Sequence, residues 1–282
     1  MTELQKKEFE ILKLFVDTCK KLELEYFLVC GSALGAVKYG GFIPWDDDID
    51  VAMPRKDYET FLSKAPELLP EWCFIQNYRT DPEFHLLGTK IRDSRTTFIE
   101  MMCDGLDINH GIFIDLFPLD GMWGPSEEKI YQRKRKQFDA ARRVKLNYRR
   151  FTPGNVFPLL NTVYFLAYKC LGLFRDTDVE IKKFDDFVSS FPLEDSDIWC
   201  NHANSASRNE FALKDQYGKG RHCVFEGLDV VIPQNYDEYL SQKYGEWRKE
   251  LPIDEQKGHH YYVIMDCERP YVDYIKNISK IK

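Results

Sequence analysis

The chain has 282 residues, 44% hydrophobic and 30% charged, enough for a substantial core and ordinary for a soluble globular protein. A net charge of −7 argues against a general binder of nucleic acid or other polyanions. Eight cysteines are scattered without a Cys-x-x-Cys pair, which excludes a disulfide framework and reads as a reducing compartment.

In chain order, MTELQKKEFEILKLF has no apolar signal core, so the catalytic part is expected in the cytoplasm. It opens an amphipathic helix, with Leu4, Ile11, Leu12, Phe15, Val16, Cys19 and Leu22 along one side. Thr2 and Gln5 stand at capping-box spacing. Tyr26–Cys30 reads as a short buried strand ending at Gly31-Ser32, and Ala33–Lys38 as one or two helical turns stopped by Gly40-Gly41. The loop Phe42-Ile-Pro-Trp45 leads to a strand that carries Asp48 and Asp50 and ends at Pro54. Asp57–Leu69 has helical periodicity interrupted at Pro66. Trp72–Tyr78, Leu86–Arg92 and Thr96–Glu100 read as strands. Gly111–Phe117 is another, apolar on both faces except at Asp115, with a Pro-Leu-Asp-Gly turn after it.

From Ser126 strands give way to helices. The expected organisation is a catalytic core over residues 1–125 and a mainly helical region over 126–282, or a single integrated domain. Tyr131–Arg150 is rich in Lys and Arg, and Pro158–Phe174 is nearly all apolar but slightly short for a bilayer span. Residues 131–174 therefore read either as core or as a peripheral contact with an anionic membrane surface, at the inner face of the plasma membrane.

Side chains two apart on a strand share a face, so Asp48 and Asp50 project together. Ionising both in a partly buried site is costly without a cation. Hard ions such as Mg²⁺ are bound by one or two carboxylates together with substrate phosphates. Asp115 is out of place in its apolar strand unless something pairs with it. It reads as a backbone-bonding Asp or, given the upstream pair, as a third metal or catalytic carboxylate. The Gly31-Ser32 turn offers backbone N–H groups and a hydroxyl to a phosphate. Together these features describe a metal-dependent phosphoryl-type transferase.

The stretch GSALGAVKYGGFIPWDDDIDVAMPRKDY resembles the signature of the LicD family, a branch of the nucleotidyltransferase-fold proteins that includes the fukutin-related enzymes. Further matches are Lys90-Ile-Arg-Asp-Ser94, Gly111-Ile-Phe-Ile-Asp-Leu-Phe-Pro-Leu-Asp120, Phe225-Glu-Gly227, Ile232-Pro233, Tyr244-Gly245 and His259-His260. Ser32 stands where many members have Thr, and it keeps the hydroxyl. No inserted cysteine cluster like the zinc loop of the fukutin-related branch is present, which points to a bacterial-type member.

The resemblance implies an α+β fold, a nucleotidyltransferase-like mixed sheet with flanking helices and a helical C-terminal region. It implies transfer of phosphocholine from CDP-choline to a hydroxyl of a cell-surface glycan (teichoic acid, lipopolysaccharide or another polysaccharide), with CMP leaving. By analogy Asp48, Asp50 and Asp115 would hold Mg²⁺ or Mn²⁺, with Asp115 alternatively the base for the acceptor hydroxyl. Gly31, Ser32, Lys90 and Arg92 are candidate donor-phosphate contacts. Trp45 could face a quaternary ammonium, and His259 could approach the phosphate. The acceptor is expected to be a glycan that is free or lipid-linked, and no nucleic-acid partner is expected. CDP-ribitol or CDP-glycerol as donor, nucleotidyl transfer from an NTP, and a non-catalytic membrane-associated glycan- or lipid-binding protein are the competing readings.

Overall fold

The computed structural model describes residues 1–146, 163, 166–167, 170, 176–203 and 210–278. Helix α1 (Glu3–Leu22) buries Leu4, Ile11, Leu12, Phe15 and Cys19. Its capping box closes, with Gln5 N–H donating to Thr2 Oγ1 (3.1 Å) and Thr2 N–H to Gln5 Oε1 (2.9 Å). There follow β1 (Phe27–Leu28), α2 (Cys30–Tyr39), β2 (Asp50–Pro54), α3 (Arg55–Lys64), β3 (Cys73–Gln76), β4 (Thr89–Asp93), β5 (Thr97–Glu100) and β6 (Ile112–Gly121). The second half supplies α4 (Glu128–Lys145), α5 (Thr177–Val188), β7 (Ile198–Cys200), β8 (Phe211–Leu213), α6 (Lys214–Tyr217), β9 (Arg221–Phe225), β10 (Leu228–Ile232), α7 (Tyr236–Tyr244), β11 (Tyr262–Asp266) and α8 (Tyr271–Ile278).

The fold is α+β, as expected: helices flank a mixed sheet ordered β1-β2-β6-β4-β3, extended by β7 on β6 and β8 on β7. Only β2 and β6 run parallel within it. The core lies between this sheet and its helices, where Phe15 of α1 meets Phe61 of α3 (ring centroids 5.1 Å apart). Helices α4 and α5 pair through the stacked rings of Phe138 and Phe184, 4.9 Å apart. The second half contributes strands as well as helices: β11 pairs with β5, and β9 with β10. The β9–β10 turn places Glu226 and Gly227 at φ 49° and 83°, the two positive angles of a type I′ hairpin.

Strand β6 is buried along its whole length and continues through Pro118-Leu-Asp-Gly121, where the sequence reads as a turn. Register explains why the proline is tolerated. Asp115 N–H donates to Ile49 O, just before β2, and alternation turns residues 117 and 119 the same way. Pro118 then faces the opposite edge, after β4 has ended at Leu116 and before β7 begins pairing at Asp120. No ladder bond is lost there.

No helix among the described residues is long and apolar enough to cross a membrane. The expected membrane-surface segment 131–174 is described only to Leu146 and at residues 163, 166, 167 and 170, so most of that expectation lies outside the described residues.

Candidate active site

The parallel pairing of β2 and β6 sets Asp50 opposite Asp115. Asp48 lies just before β2 rather than on it. Even so, carboxylate oxygens of Asp48, Asp50 and Asp115 all come within 4.8 Å of one another. Burial, followed by the charges of Asp48 and Asp115, pushes the Asp50 carboxyl well up. Burial also raises Asp48, against the pull of His260. Asp46 rises to about 8, through burial and the charges of Asp48 and Asp47. The set is all hard oxygen and short of positive charge, a donor set that suits a divalent cation.

Helix α2 begins at Cys30, three residues earlier than expected, so Gly31-Ser32 is its first turn. Gly31 lies at the cavity wall, where a Cβ would come within 2.9 Å of Asp46 Oδ2. Ser32 is buried, and its Oγ accepts the N–H of Asp50 (2.8 Å). That hydroxyl orients the carboxylate strand and does not line the cavity. From α1, Gln5 Nε2 donates to Asp46 O (2.9 Å) and fixes the loop from the other side.

Lys90 on β4 sits opposite Asp115, with Nζ 3.1 Å from Asp115 Oδ2 and 3.7 Å from Glu100 Oε1. Arg92 does not reach the cleft. It is wholly buried, donating to Gly111 O (2.7 Å), to Glu100 Oε2 (3.1 Å) and to Gln76 Oε1. A charged side chain two along from Lys90 shares its face, but that face is sealed here by Glu100 and the 109–111 turn. Burial works against ionisation of Glu100, and Lys90 and Arg92 nevertheless hold its carboxyl far below the usual range.

The pairing of β11 with β5 carries the C-terminal segment back to the carboxylates. Asp47 accepts the backbone N–H groups of His259 and His260, each at 3.0 Å, and lies 3.2 Å from the His260 ring. Burial opposes the charge on both partners. The pairing still holds Asp47 low, and Asp47 and Asp48 raise His260 to about 9. The imidazole that meets the acids is that of His260, from the His259-His260 pair read in the sequence. His259 lines the cleft.

Two cavities open from the carboxylates and share Asp48, Asp50 and His259. One, of about 310 Å³, is walled by Tyr39, Trp45, Tyr244 and Trp247 with Gly31 and Asp46. The Tyr39 and Trp45 rings meet edge to face, 6.3 Å apart. The other, of about 360 Å³, is lined by His85, Lys90, Glu100, Arg142, Asp115 and Tyr261. A larger cleft of about 480 Å³ between α3 and β3 holds none of these groups, so size does not mark the site.

Sequence reasoning missed Glu100, His85 and Glu8. Glu8 of α1 is buried, and burial followed by the charges of Asp48, Asp47 and Asp46 pushes its carboxyl well up. Its signal was present: it stands four residues after Leu4 and three before Ile11, on the apolar face of the helix.

Residues 23–165 match the family model described as LicD/FKTN/FKRP, nucleotidyltransferase domain. That span includes Gly31, Ser32, Trp45, Asp48, Asp50, Lys90, Arg92 and Asp115, and stops short of His259. The chain is 28% identical over 260 residues to the lipopolysaccharide cholinephosphotransferase LicD of Haemophilus influenzae, an alignment covering 89% of this chain and 92% of that protein. It is also 33% identical over 66 residues to an uncharacterized Rickettsia typhi protein, RT0683, across 22% of this chain and 21% of that one.

Proposed function

The chain belongs to the LicD/FKTN/FKRP family, and from that premise we propose that it transfers phosphocholine from CDP-choline to a hydroxyl of a cell-surface glycan, such as lipopolysaccharide or teichoic acid, releasing CMP. One juxtaposition carries this reading. Of three converging carboxylates, Asp48 and Asp50 line a cavity walled by Tyr39, Trp45, Tyr244 and Trp247, and Asp115 lines the adjoining one. A quaternary ammonium has no N–H to donate and is held by aromatic faces and nearby negative charge, for which Glu246 and Glu250 stand in the same wall. Ribitol or glycerol would be held by hydrogen-bonding side chains, and Lys38, Glu246, Lys249 and Glu250 also stand in this wall, so a panel of donors separates the alcohols.

Asp48, Asp50 and Asp115 would hold Mg²⁺ or Mn²⁺, which would supply positive charge against the donor phosphates. The chain's own residues do the rest. Lys90 balances Asp115 and brings positive charge to the phosphate end, and the first turn of α2 adds its dipole. The acceptor oxygen bonds to the phosphorus of phosphocholine, and the bond from that phosphorus to the CMP oxygen breaks. The acceptor's proton passes to a carboxylate of the cluster. Trp45 and Tyr39 orient the headgroup away from that line.

A panel of CDP-choline, CDP-ribitol and CDP-glycerol with Mg²⁺, assayed for CMP release, tests the proposal. CDP-choline should be turned over fastest. Pyrophosphate release from CTP without CMP release from any CDP-alcohol would overturn it.

A further inference from the structure

Residues 245–261, between α7 and β11, run across the mouth of the site and wall both cavities, with Trp247 and Leu251 on one side, Tyr261 on the other and His259 in both. The segment is fastened at two places. Near α2, Lys38 Nζ donates to the carbonyls of Lys249 (2.9 Å) and Trp247 (3.4 Å) and pairs with Glu250 (3.1 Å), which also accepts from Tyr39 Oη (2.8 Å). At the far end both Asp47 oxygens are engaged, Oδ1 by His259 N–H and Oδ2 by His260 N–H. Gly258 permits that approach: a Cβ there would lie 2.2 Å from Asp47 Oδ2 and 2.7 Å from its Cγ. Between the fastenings Leu251–Glu255 is exposed, and Ile253 is 87% exposed.

We infer that this segment is a strap over the donor site, latched by Asp47 against Gly258, and that Asp47 is a positioning residue that seats His259 and His260 against the cleft. A carboxylate holding two successive backbone N–H groups makes charge-assisted bonds, stronger than neutral ones. Asp47 thus spends a bond from each oxygen on the segment's backbone, whereas Asp48 and Asp50, on either side of Ile49, converge with Asp115. A donor reaching either cavity passes under the strap, so the latch sets the fraction of time the site is closed. The kinetic arm of the test rests on the phosphocholine-transfer reading, and the proteolytic arm does not.

Lys257 is exposed and borders the latch, so tryptic cleavage after it reports opening of the strap. In Asp47→Ala and in Gly258→Ala, cleavage there in the ligand-free protein should accelerate about tenfold, with other tryptic sites unchanged. The double variant should be no faster than the faster single one, because both break the same contact. With CDP-choline and Mg²⁺, each single variant should raise KM more than it lowers kcat. Unchanged cleavage at Lys257 in both single variants, or faster cleavage at all sites alike, overturns the latch whatever the donor proves to be. A fall in kcat with KM unmoved in Asp47→Ala would overturn the positioning role. If the unmodified protein fails to turn over CDP-choline, the transfer reading fails while the cleavage result still decides the latch.

Discussion

Two groups of buried and half-buried carboxylates in this chain are compensated in opposite ways. Where α3, β6 and α5 meet, Glu59, Asp120 and Asp185 face Arg55 and Arg79. Arg55 grips Asp120 with two bonds (2.8 and 2.6 Å) and reaches Asp185 at 3.0 Å. Arg79 spans Glu59 (2.7 Å) and Asp185 (2.9 Å), and Tyr78 Oη donates to Asp185 (2.7 Å). Burial still pushes the Asp120 carboxyl up, and Arg55 pulls it back. At the candidate site the acids outnumber their partners. Among the described residues, Lys90 and His260 are the cations paired with Asp47, Asp48 and Asp115, and Asp46, Asp48 and Asp50 are all raised. Buried charge is tolerated when its partner is built in, and is costly when it is not. The first group holds the fold together. The second has, among the described residues, more acids than the cations ion-paired with them.

The sharpest way to break this contrast is Asp50→Asn. Transfer, measured as CMP release, should fall by about 10³-fold or more. The thermal midpoint should hold or rise, because a repelling charge has been removed; a large loss of stability would put both groups in the same class. Asp185→Ala should do the reverse. It removes the acid shared by Arg55 and Arg79 and the acceptor of Tyr78 Oη, and should cost about 1–3 kcal/mol in urea unfolding, while CMP release per folded molecule is kept. Trp45→Ala should raise KM for CDP-choline about tenfold and leave CDP-glycerol nearly unaffected, as loss of a cation–π face requires.

The smallest effect concerns His202, which packs at the end of β6 near the paired group and whose Nε2 donates to Gly121 O (3.3 Å). Burial lowers it from 6.5 to about 3. The unfolded chain therefore binds a proton between those values that the folded chain does not. Stability is unaffected above about pH 6.5 and declines as pH falls from there toward 3. Urea midpoints between pH 7 and 4.5 should fall less steeply in His202→Gln.

Much of this was legible in the chain, because the patterns that carry it are local. The stripe of α1, its Thr2–Gln5 box and the apolar run around Asp115 each depend on spacing along a few residues. Asp48 and Asp50 were found as a pair, and the register of β2 and β6 brings Asp115 to them. Other features were not legible. Lys90 and Arg92 look alike on a strand, but β5 and Glu100 seal one and leave the other beside the cavity. Pro118 reads as a turn until the gap between β4 and β7 is known. Ser32 looks free until α2 starts at Cys30 and turns its hydroxyl onto Asp50.

The sequence by itself determined which groups the chain brings to its chemistry: paired carboxylates, a third in an apolar strand, and a Gly-Ser turn, all specified by residue type and short spacing. Only the tertiary structure decided which charges are left uncompensated, which aromatic rings wall the cavity, and how a segment more than 200 residues further along the chain is tied to Asp47. Those are contacts between distant segments, set by strand register and packing, and no local pattern encodes them.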